Sequence, residues 1–419
     1  MKKILLMLVV LSFNSIAATT TGYDAVKRWK VQEDQLKTQE MMFPMGHDFV
    51  FGPKIYLNTD IFTVLSDAKG ISGGNTAAAT ALLQKFDKSE NMAKVGLDFA
   101  IPLPSFTIAD VNLRPNLRVN AGGGFLAAIE SKNFTTADAE KFLGTNFQFL
   151  VNVMATCNWG AQLAGNGNDL IKAMKAASCS TTSMNPAQLV LYNAGNGVII
   201  LPIGNDYAMN TYVNLEGRAG LYFDYDYGEN IFGTFNIYGL YRRDFTAAFS
   251  AGSIGAGQAA PDPSKVDNAT MYLNMDFSVG YKMDELSVRA GIEDVKLTQI
   301  QDPKQGVLGY EAESLLRVHA QYEMDMGFAK VVPFVGLHKR SSYDLSDGAY
   351  GGAEARLMLL DEALMFRVRG TLDPTYFTLA PMFKFWVLNI DTLFKVPLKS
   401  DVDGVKPPTT VGLNLRFAI

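Results

Sequence analysis

The sequence has little of the chemistry on which most enzymes and metalloproteins depend. Its 419 residues include only three histidines and two cysteines. No segment beyond the N-terminal leader has the roughly 20 unbroken apolar residues that a spanning helix needs, which excludes a helical membrane protein. The net charge of −5 is small and predicts no nucleic-acid-binding surface.

The histidines show no spacing typical of a catalytic or metal site. His319 and His338 fall on neighbouring predicted strands, but no Ser–His or Asp–His pattern accompanies them. No His/Cys cluster has the spacing of metal ligands. Gly122–Gly124 is followed by no Lys-Ser/Thr pair, so within a strand it indicates a bend or close packing against an inner segment. We therefore predict that the protein is no enzyme and binds no metal or cofactor.

The first 17 residues are typical of a secretory signal peptide. Lys2 and Lys3 precede an apolar run, Ile4–Phe13, and small residues follow at a cleavage position. In an exported protein the lone pair Cys157 and Cys179 most often forms one disulfide, with two free thiols as the alternative.

From residue 207 onward, apolar and polar residues alternate with a period of two, which predicts strands with one apolar and one polar face. The alternation is clearest in segments 211–224, 271–282, 316–324, 364–369 and 377–387. Short turns and long polar loops alternate along the chain, except at Asp373-Pro374, a short turn where a long loop is expected. This is the asymmetry of a bacterial outer-membrane barrel, which has short turns on one rim and long loops on the other.

The chain ends on the cleanest alternation of all, Thr409 to Ile419. The spacing of Thr410, Gly412, Leu415 and Phe417 resembles the C-terminal insertion signal of Gram-negative outer-membrane β-barrels, although two residues follow the aromatic. This resemblance implies location in the outer membrane of a Gram-negative bacterium, with its lipids and the barrel-assembly machinery as partners.

The predicted fold is an all-β, transmembrane, antiparallel up-and-down barrel. The region beyond residue 207 holds about eleven strands, and single-chain barrels have even numbers. Three further candidates, 49–64, 93–101 and 113–129, bring the count to about 14, within a range of 12–16. Two weaker runs, 147–154 and 198–203, would raise it to about 16.

Three segments do not have the pattern of a barrel wall. Residues 18–46 form an N-terminal segment, charged and helical over 23–42, that lies in the periplasm or folds back into the pore. Residues 47–419 form the barrel, in which residues 66–91 are a polar, Ala-rich first external loop with a short helix at 77–86. Within it, 131–206 is a large extracellular insertion with helical stretches, placed as a loop over the mouth or as a plug.

A charge on the lipid face costs about 2–4 kcal/mol near the bilayer midplane, so the strand charges are predicted to face the lumen. The candidate pore-lining residues are Arg218, Arg289, Arg317, Glu323, Arg356, Arg367, Arg369, Lys384 and Arg416. They suit a channel for small solutes, or a salt-bridge network that fills a narrow barrel.

Two other functions remain open at this stage. An N-terminal segment ahead of a barrel of about 14 strands is similar to the outer-membrane transporters of long-chain fatty acids, and the apolar run Met41–Met45 suits their gated path for hydrophobic molecules. A structural or adhesive surface barrel without an open pore is the third possibility. The sequence names neither the solute nor the oligomeric state.

Overall fold

The structure is a computed structural model of the chain. It describes residues 25–41, 47–58, 60, 63, 66–67, 76–134, 160–166, 170–178, 204–250, 269–301, 313–327, 329–359 and 364–418. The signal peptide, both cysteines and the two weaker strand candidates lie outside these residues, so those predictions remain predictions.

The described strands form one closed antiparallel barrel. They are β1 (Val50–Asn58), β2 (Glu90–Pro102), β3 (Phe106–Ile108), β4 (Val111–Phe134), β5 (Gly204–Tyr227), β6 (Ile231–Ser250), β7 (Thr270–Met283), β8 (Leu286–Gln301), β9 (Leu315–Tyr322), β10 (Met324–Asp325), β11 (Lys330–Lys339), β12 (Ala349–Leu359), β13 (Leu364–Leu372), β14 (Tyr376–Phe385), β15 (Leu388–Pro397) and β16 (Thr410–Ala418). The short strands β3 and β10 only extend the pairing of β4 and β11. The wall therefore has 14 strands, as the sequence predicts. First and last strands close the ring, with Val50 opposite Ala418.

The two rims of the barrel differ in their connections. On the rim where β1 begins and β16 ends, which we call the turn rim, strands are joined by tight turns such as 228–230 and 284–285. On the opposite rim, the loop rim, the connections include 135–203 and 251–269. The predicted asymmetry of short turns and long loops is confirmed.

Alternation along each strand separates the two faces of the wall. In β16, Leu413 and Phe417 are exposed on the outside, whereas Asn414 and Arg416 are buried inside. Phe277, Val335 and Phe366 lie on the same apolar outer surface. Closure leaves no unpaired strand edge, as an apolar solvent requires. No helix in the described part of the chain is long and apolar enough to span a bilayer.

A helix of 17 residues, α1 (Ala25–Met41), lies inside the barrel. Its start contacts the loop rim, where Arg28 meets Glu90, and its end lies near the middle of the wall, where Glu40 meets Lys54. Of the two positions that the sequence left open for this segment, residues 25–41 occupy the lumen. The helix carries charged and amide residues on every side, which suits a helix enclosed by a polar wall.

Among the described residues, three shorter helices belong to the loop-rim connections. They are α2 (Thr76–Lys85), α3 (Gly160–Leu163) and α4 (Leu170–Ala176). Helix α2 matches the short helix predicted at 77–86, and its Leu83 packs with Phe86 and Ile129 at the loop end of β4. Helices α3 and α4 lie in the insertion 131–206; whether that insertion covers the mouth falls outside the described residues.

Candidate functional site: the helix in the lumen and the vestibule beneath it

Trp29 holds α1 against the wall through a socket made by a glycine. The indole is fully buried and packs with Tyr56, Met92 and Tyr212. A Cβ added at Gly124 would lie 1.8 Å from Trp29 Cη2, so the ring occupies the volume that any other side chain there would need. The interpretation of Gly122–Gly124 as a site of close packing against an inner segment thus fits the contact that Gly124 makes.

Near the loop rim, α1 is fixed by a buried charge pair. Arg28 donates to Glu90 Oε2 at 3.0 Å, and Gln32 donates to Glu90 Oε1 at 2.7 Å. On β15, three strands from β2 in the ring, Lys395 is 2% exposed and donates to Gln35 at 2.6 Å and to Gln32 at 3.2 Å. Two nearby strands of the same part of the wall therefore hold the same two helical turns.

A chain of charges crosses the lumen at the middle of the helix. Arg340, just beyond the loop end of β11, donates to both oxygens of Asp34 at 2.7 and 2.9 Å and to Asp294 at 2.7 Å. Asp294 also accepts from Arg218 at 2.7 Å. The Tyr343 hydroxyl adds a hydrogen bond to Asp34 at 3.0 Å. Helix, loop and two strands are thus joined through Asp34 and Asp294.

The ionisation of this pair follows from its partners. Burial alone would raise the pKa of Asp34, but Arg340 outweighs burial and holds the pKa below its ordinary value. Burial also raises the pKa of Tyr343, and the neighbouring Asp34 carboxylate raises it further. Asp34 is therefore a carboxylate and Tyr343 a neutral phenol, the states in which the phenol donates and the carboxylate accepts.

Further towards the turn rim, the helix is held from several sides. Lys94 donates to Glu33 at 3.0 Å, and Lys54 donates to Glu40 at 2.9 Å. Arg317 donates to the hydroxyl of Thr38. These partners come from β1, β2 and β9, and Lys395 of β15 and Arg340 beyond β11 add to them, so α1 is bonded to several parts of the ring and obstructs the lumen along its length.

The structure brings most of the predicted pore-lining residues to the interior. Arg218 pairs with Glu216 and Asp294, and Arg317 pairs with Glu293. Arg369 pairs with Glu354, and Arg416 pairs with Asp391. Arg356 and Arg367 converge on Glu354 as well, so one buried carboxylate serves three guanidinium groups. Lys384 is partly buried near the turn end of β14. Glu323 lies at the turn rim, where it accepts from Lys330 at 2.6 Å.

Below the helix, on the turn-rim side, a cavity of about 650 Å³ opens beside β4–β9. We call this cavity the vestibule. Its ceiling is formed by Lys37, Glu40 and Met41 at the end of α1, and Arg289 projects from β8 in its wall. On the other side of the helix, the space beside Leu36 and Lys395 measures about 10 Å³, roughly the room that one water needs. Of these two spaces beside the helix, the larger is therefore on the side of β4–β9.

Several residues with central positions were not anticipated from the sequence. Trp29, Asp34, Arg340 and Asp294 join the helix to the wall, yet only the charge on every face of 25–41 hinted at such contacts. Tyr212 is 1% exposed and its ring packs at 5.8 Å from the Trp29 ring, so it presents no open face to the lumen.

The histidines serve as hydrogen-bonding groups within the wall. His338 pairs with the Tyr343 hydroxyl at 2.7 Å, and His319 with that of Tyr350 at 3.1 Å. Neither is accompanied by the serine and carboxylate of a catalytic triad in the contacts described. That the protein is no enzyme remains a prediction.

Comparison with known proteins gives only distant structural matches. No protein-family model and no curated protein sequence matches the chain. A triple mutant of the Rhodopseudomonas blastica porin is 9% identical and aligns over 89% of this chain and 99% of its own, with a TM-score of 0.28. A Pseudomonas aeruginosa FadL homologue is 11% identical over 78% and 68%, with a TM-score of 0.30. Salmonella typhi OmpF, solved with daunomycin, is 9% identical over 88% and 97%, with a TM-score of 0.25. The closed wall of 14 strands is itself what confirms the predicted resemblance to outer-membrane β-barrels.

Proposed function

We propose that the protein is an outer-membrane channel for small polar solutes, closed in this state by its own N-terminal helix. The turn rim would then face the periplasm and the loop rim the cell exterior, the arrangement typical of bacterial barrels. The observation that carries the proposal is the polar helix α1, bonded to the wall along its length and seated above a charged vestibule.

The character of the contacts favours a removable plug over a permanent core. Apart from the cluster around Trp29, α1 meets the wall through ion pairs and amide hydrogen bonds. Water can replace such contacts when a helix withdraws, whereas a withdrawing apolar helix would expose its surface at a cost of about 25 cal/mol per Å². The charged interior also argues against a path for hydrophobic molecules, since its lining would have to be desolvated by an apolar solute.

Single-channel recording of the refolded mature chain in a planar bilayer tests this proposal. We expect the wild type to be closed most of the time. Asp34→Lys should be open most of the time, because it places a lysine against Arg340 and repels the helix from the wall. Lys27→Gln is the matched control, since its 3.4 Å pair with Asp347 is partly exposed and contributes little.

The competing functions predict other results. If the barrel has a solely structural or adhesive role, Asp34→Lys should conduct no current although it folds. Heat-modifiable migration in gel electrophoresis shows whether it has folded. A transporter of hydrophobic molecules predicts little current together with uptake of a fatty acid by vesicles. Either result would contradict the channel.

A further inference from the structure

We propose that the vestibule contains a binding site for the oxyanion group, carboxylate or phosphate, of a small solute, centred on Arg289. The inference rests on the proposed channel function and names the class of solute that the channel would take. It comes from the way charges are partnered around the cavity.

Arg289 has an orientation fixed by neutral groups. Its Nε and Nη2 donate to the Ser278 hydroxyl at 3.0 and 2.8 Å, and Nη2 also donates to the Thr234 hydroxyl at 3.0 Å. In the described part of the barrel these partners are hydroxyls and not carboxylates. Directly across the strands lie Gly280 on β7 and His319 on β9. The guanidinium is therefore held firmly while its charge is left without a counter-ion in contact.

Two further cations of the same cavity are only loosely paired. Arg118 lies 3.7 Å from Asp224, and its buried Nε has no hydrogen-bond partner. Lys37, in the ceiling, has its carboxylate partner Glu33 at 3.9 Å. Both distances exceed those of a charge-assisted hydrogen bond, which are about 2.7–2.9 Å.

Most carboxylates of the vestibule, by contrast, accept at least one short hydrogen bond; Asp224, at 3.7 Å from Arg118, is the exception. Asp226 accepts from Arg114 at 2.7 Å, and Glu293 accepts from Arg317 at 2.8 Å. Asp276 accepts from the Tyr238 hydroxyl at 2.8 Å and from Asn236 at 3.1 Å.

Glu40 in the ceiling accepts from both Lys54 and Tyr56 at 2.9 Å. The lining thus has similar numbers of both signs, but the unmet hydrogen-bonding capacity belongs mainly to the cations.

An oxyanion suits this arrangement because it offers several acceptors to donors that converge from different sides. A guanidinium recognises carboxylate or phosphate through paired N–H groups, and the hydroxyls of Ser278 and Thr234 keep Arg289 oriented before the ligand arrives. Lys37 would bring α1 into contact with the same ligand, so ligand binding would change the stability of the docked helix that closes the lumen.

Isothermal titration of the refolded full mature chain in detergent tests the site, with inorganic phosphate and succinate as separate probes. We expect saturable binding of at least one probe. Arg289→Gln should weaken it by about tenfold or more, the loss of a hydrogen-bonded charge pair, and Arg289→Lys should weaken it less. Ser278→Ala, which keeps the charge and loosens its orientation, should also weaken binding.

Arg114→Gln is the matched control, because it removes a cation of the same cavity that is already committed to Asp226. Binding that survives Arg289→Gln, or that falls equally in Arg114→Gln and Arg289→Gln, would overturn the site, as would the absence of saturable binding by either probe to wild type. Titration requires no current, so this outcome is distinct from a failure of the channel, and a channel that conducts without binding oxyanions refutes only the site.

Discussion

Replacement of Gly124 by alanine should release the helix from the lumen. The new Cβ would sit 1.8 Å from Trp29 Cη2, and the next contact is Trp29 Cζ2 at 2.3 Å, so the indole has to leave its place or push the helix away. Overpacking of this kind costs about 1–3 kcal/mol. That energy corresponds to roughly a 5–150-fold change in the ratio of docked to undocked helix.

The size of the socket's contribution follows from the burial of the ring. Trp29 is 0% exposed, and an aromatic side chain buries about 150–250 Å². At about 25 cal/mol per Å² this corresponds to an upper estimate of about 4–6 kcal/mol towards docking. Trp29→Ala should therefore undock the helix more strongly than Gly124→Ala, since such truncations cost about 3–5 kcal/mol.

The emission maximum of Trp29 reports docking directly in chains whose other two tryptophans, Trp159 and Trp386, are replaced by phenylalanine. We expect a red shift in Gly124→Ala and none in Gly217→Ala, a strand glycine whose added Cβ would meet nothing within 4 Å. Channel opening in the bilayer should rise in parallel.

A double-mutant cycle with Trp29→Ala, read by channel opening, completes the test. Once the indole is gone, Gly124→Ala should cost nothing more, which gives a coupling energy of about 1–3 kcal/mol. Additive effects of the two substitutions, or an unshifted emission in Gly124→Ala, would refute the socket.

Three further predictions concern charge. Because the pKa of Asp34 is held below its ordinary value in the folded state, its contribution to docking is fully present at neutral pH and is lost as pH falls through that lowered pKa. Emission titrations should show this acid limb in wild type. The limb should be smaller in Asp34→Asn and not absent, because Glu33 and Glu40 also pair with cations of the wall. Arg340→Gln leaves Asp34 and Asp294 without their shared cation and should weaken docking by about 3–5 kcal/mol, whereas Lys27→Gln should weaken it by about 0–1 kcal/mol. Both values can be measured from the dependence of Trp29 emission on urea concentration, and equal effects would contradict the buried network. Val335→Arg puts a charge on the outer face and should reduce folding stability in lipid vesicles by about 2–4 kcal/mol, and an unchanged midpoint would argue against a membrane at that face.

The barrel could be predicted from the sequence because each strand exposes its two faces to different surroundings. Residues such as Leu413 and Asn414 alternate in polarity, and a membrane barrel repeats this pattern in every strand. Strand ends were less readable: β1 ends at Asn58, short of the predicted 49–64, and β4 runs on to Phe134. The alternation of apolar and polar residues is lost where a strand leaves the apolar layer, and pairing with the neighbouring strand then determines where the strand ends.

Sequence alone therefore determined the architecture of the wall, the direction of its charged face and the helical character of 25–41, all of which depend on neighbours in the chain. Only the tertiary structure decided that the helix fills the lumen, that Trp29 enters the space left by Gly124, and that Asp34 meets Arg340. These contacts join residues 95 and 306 positions apart, and no local periodicity encodes such a pairing. The same is true of Arg289. Its charge could be read from the sequence, but the hydroxyls that orient it, and the lack of any described carboxylate in contact with it, follow from the register of three strands.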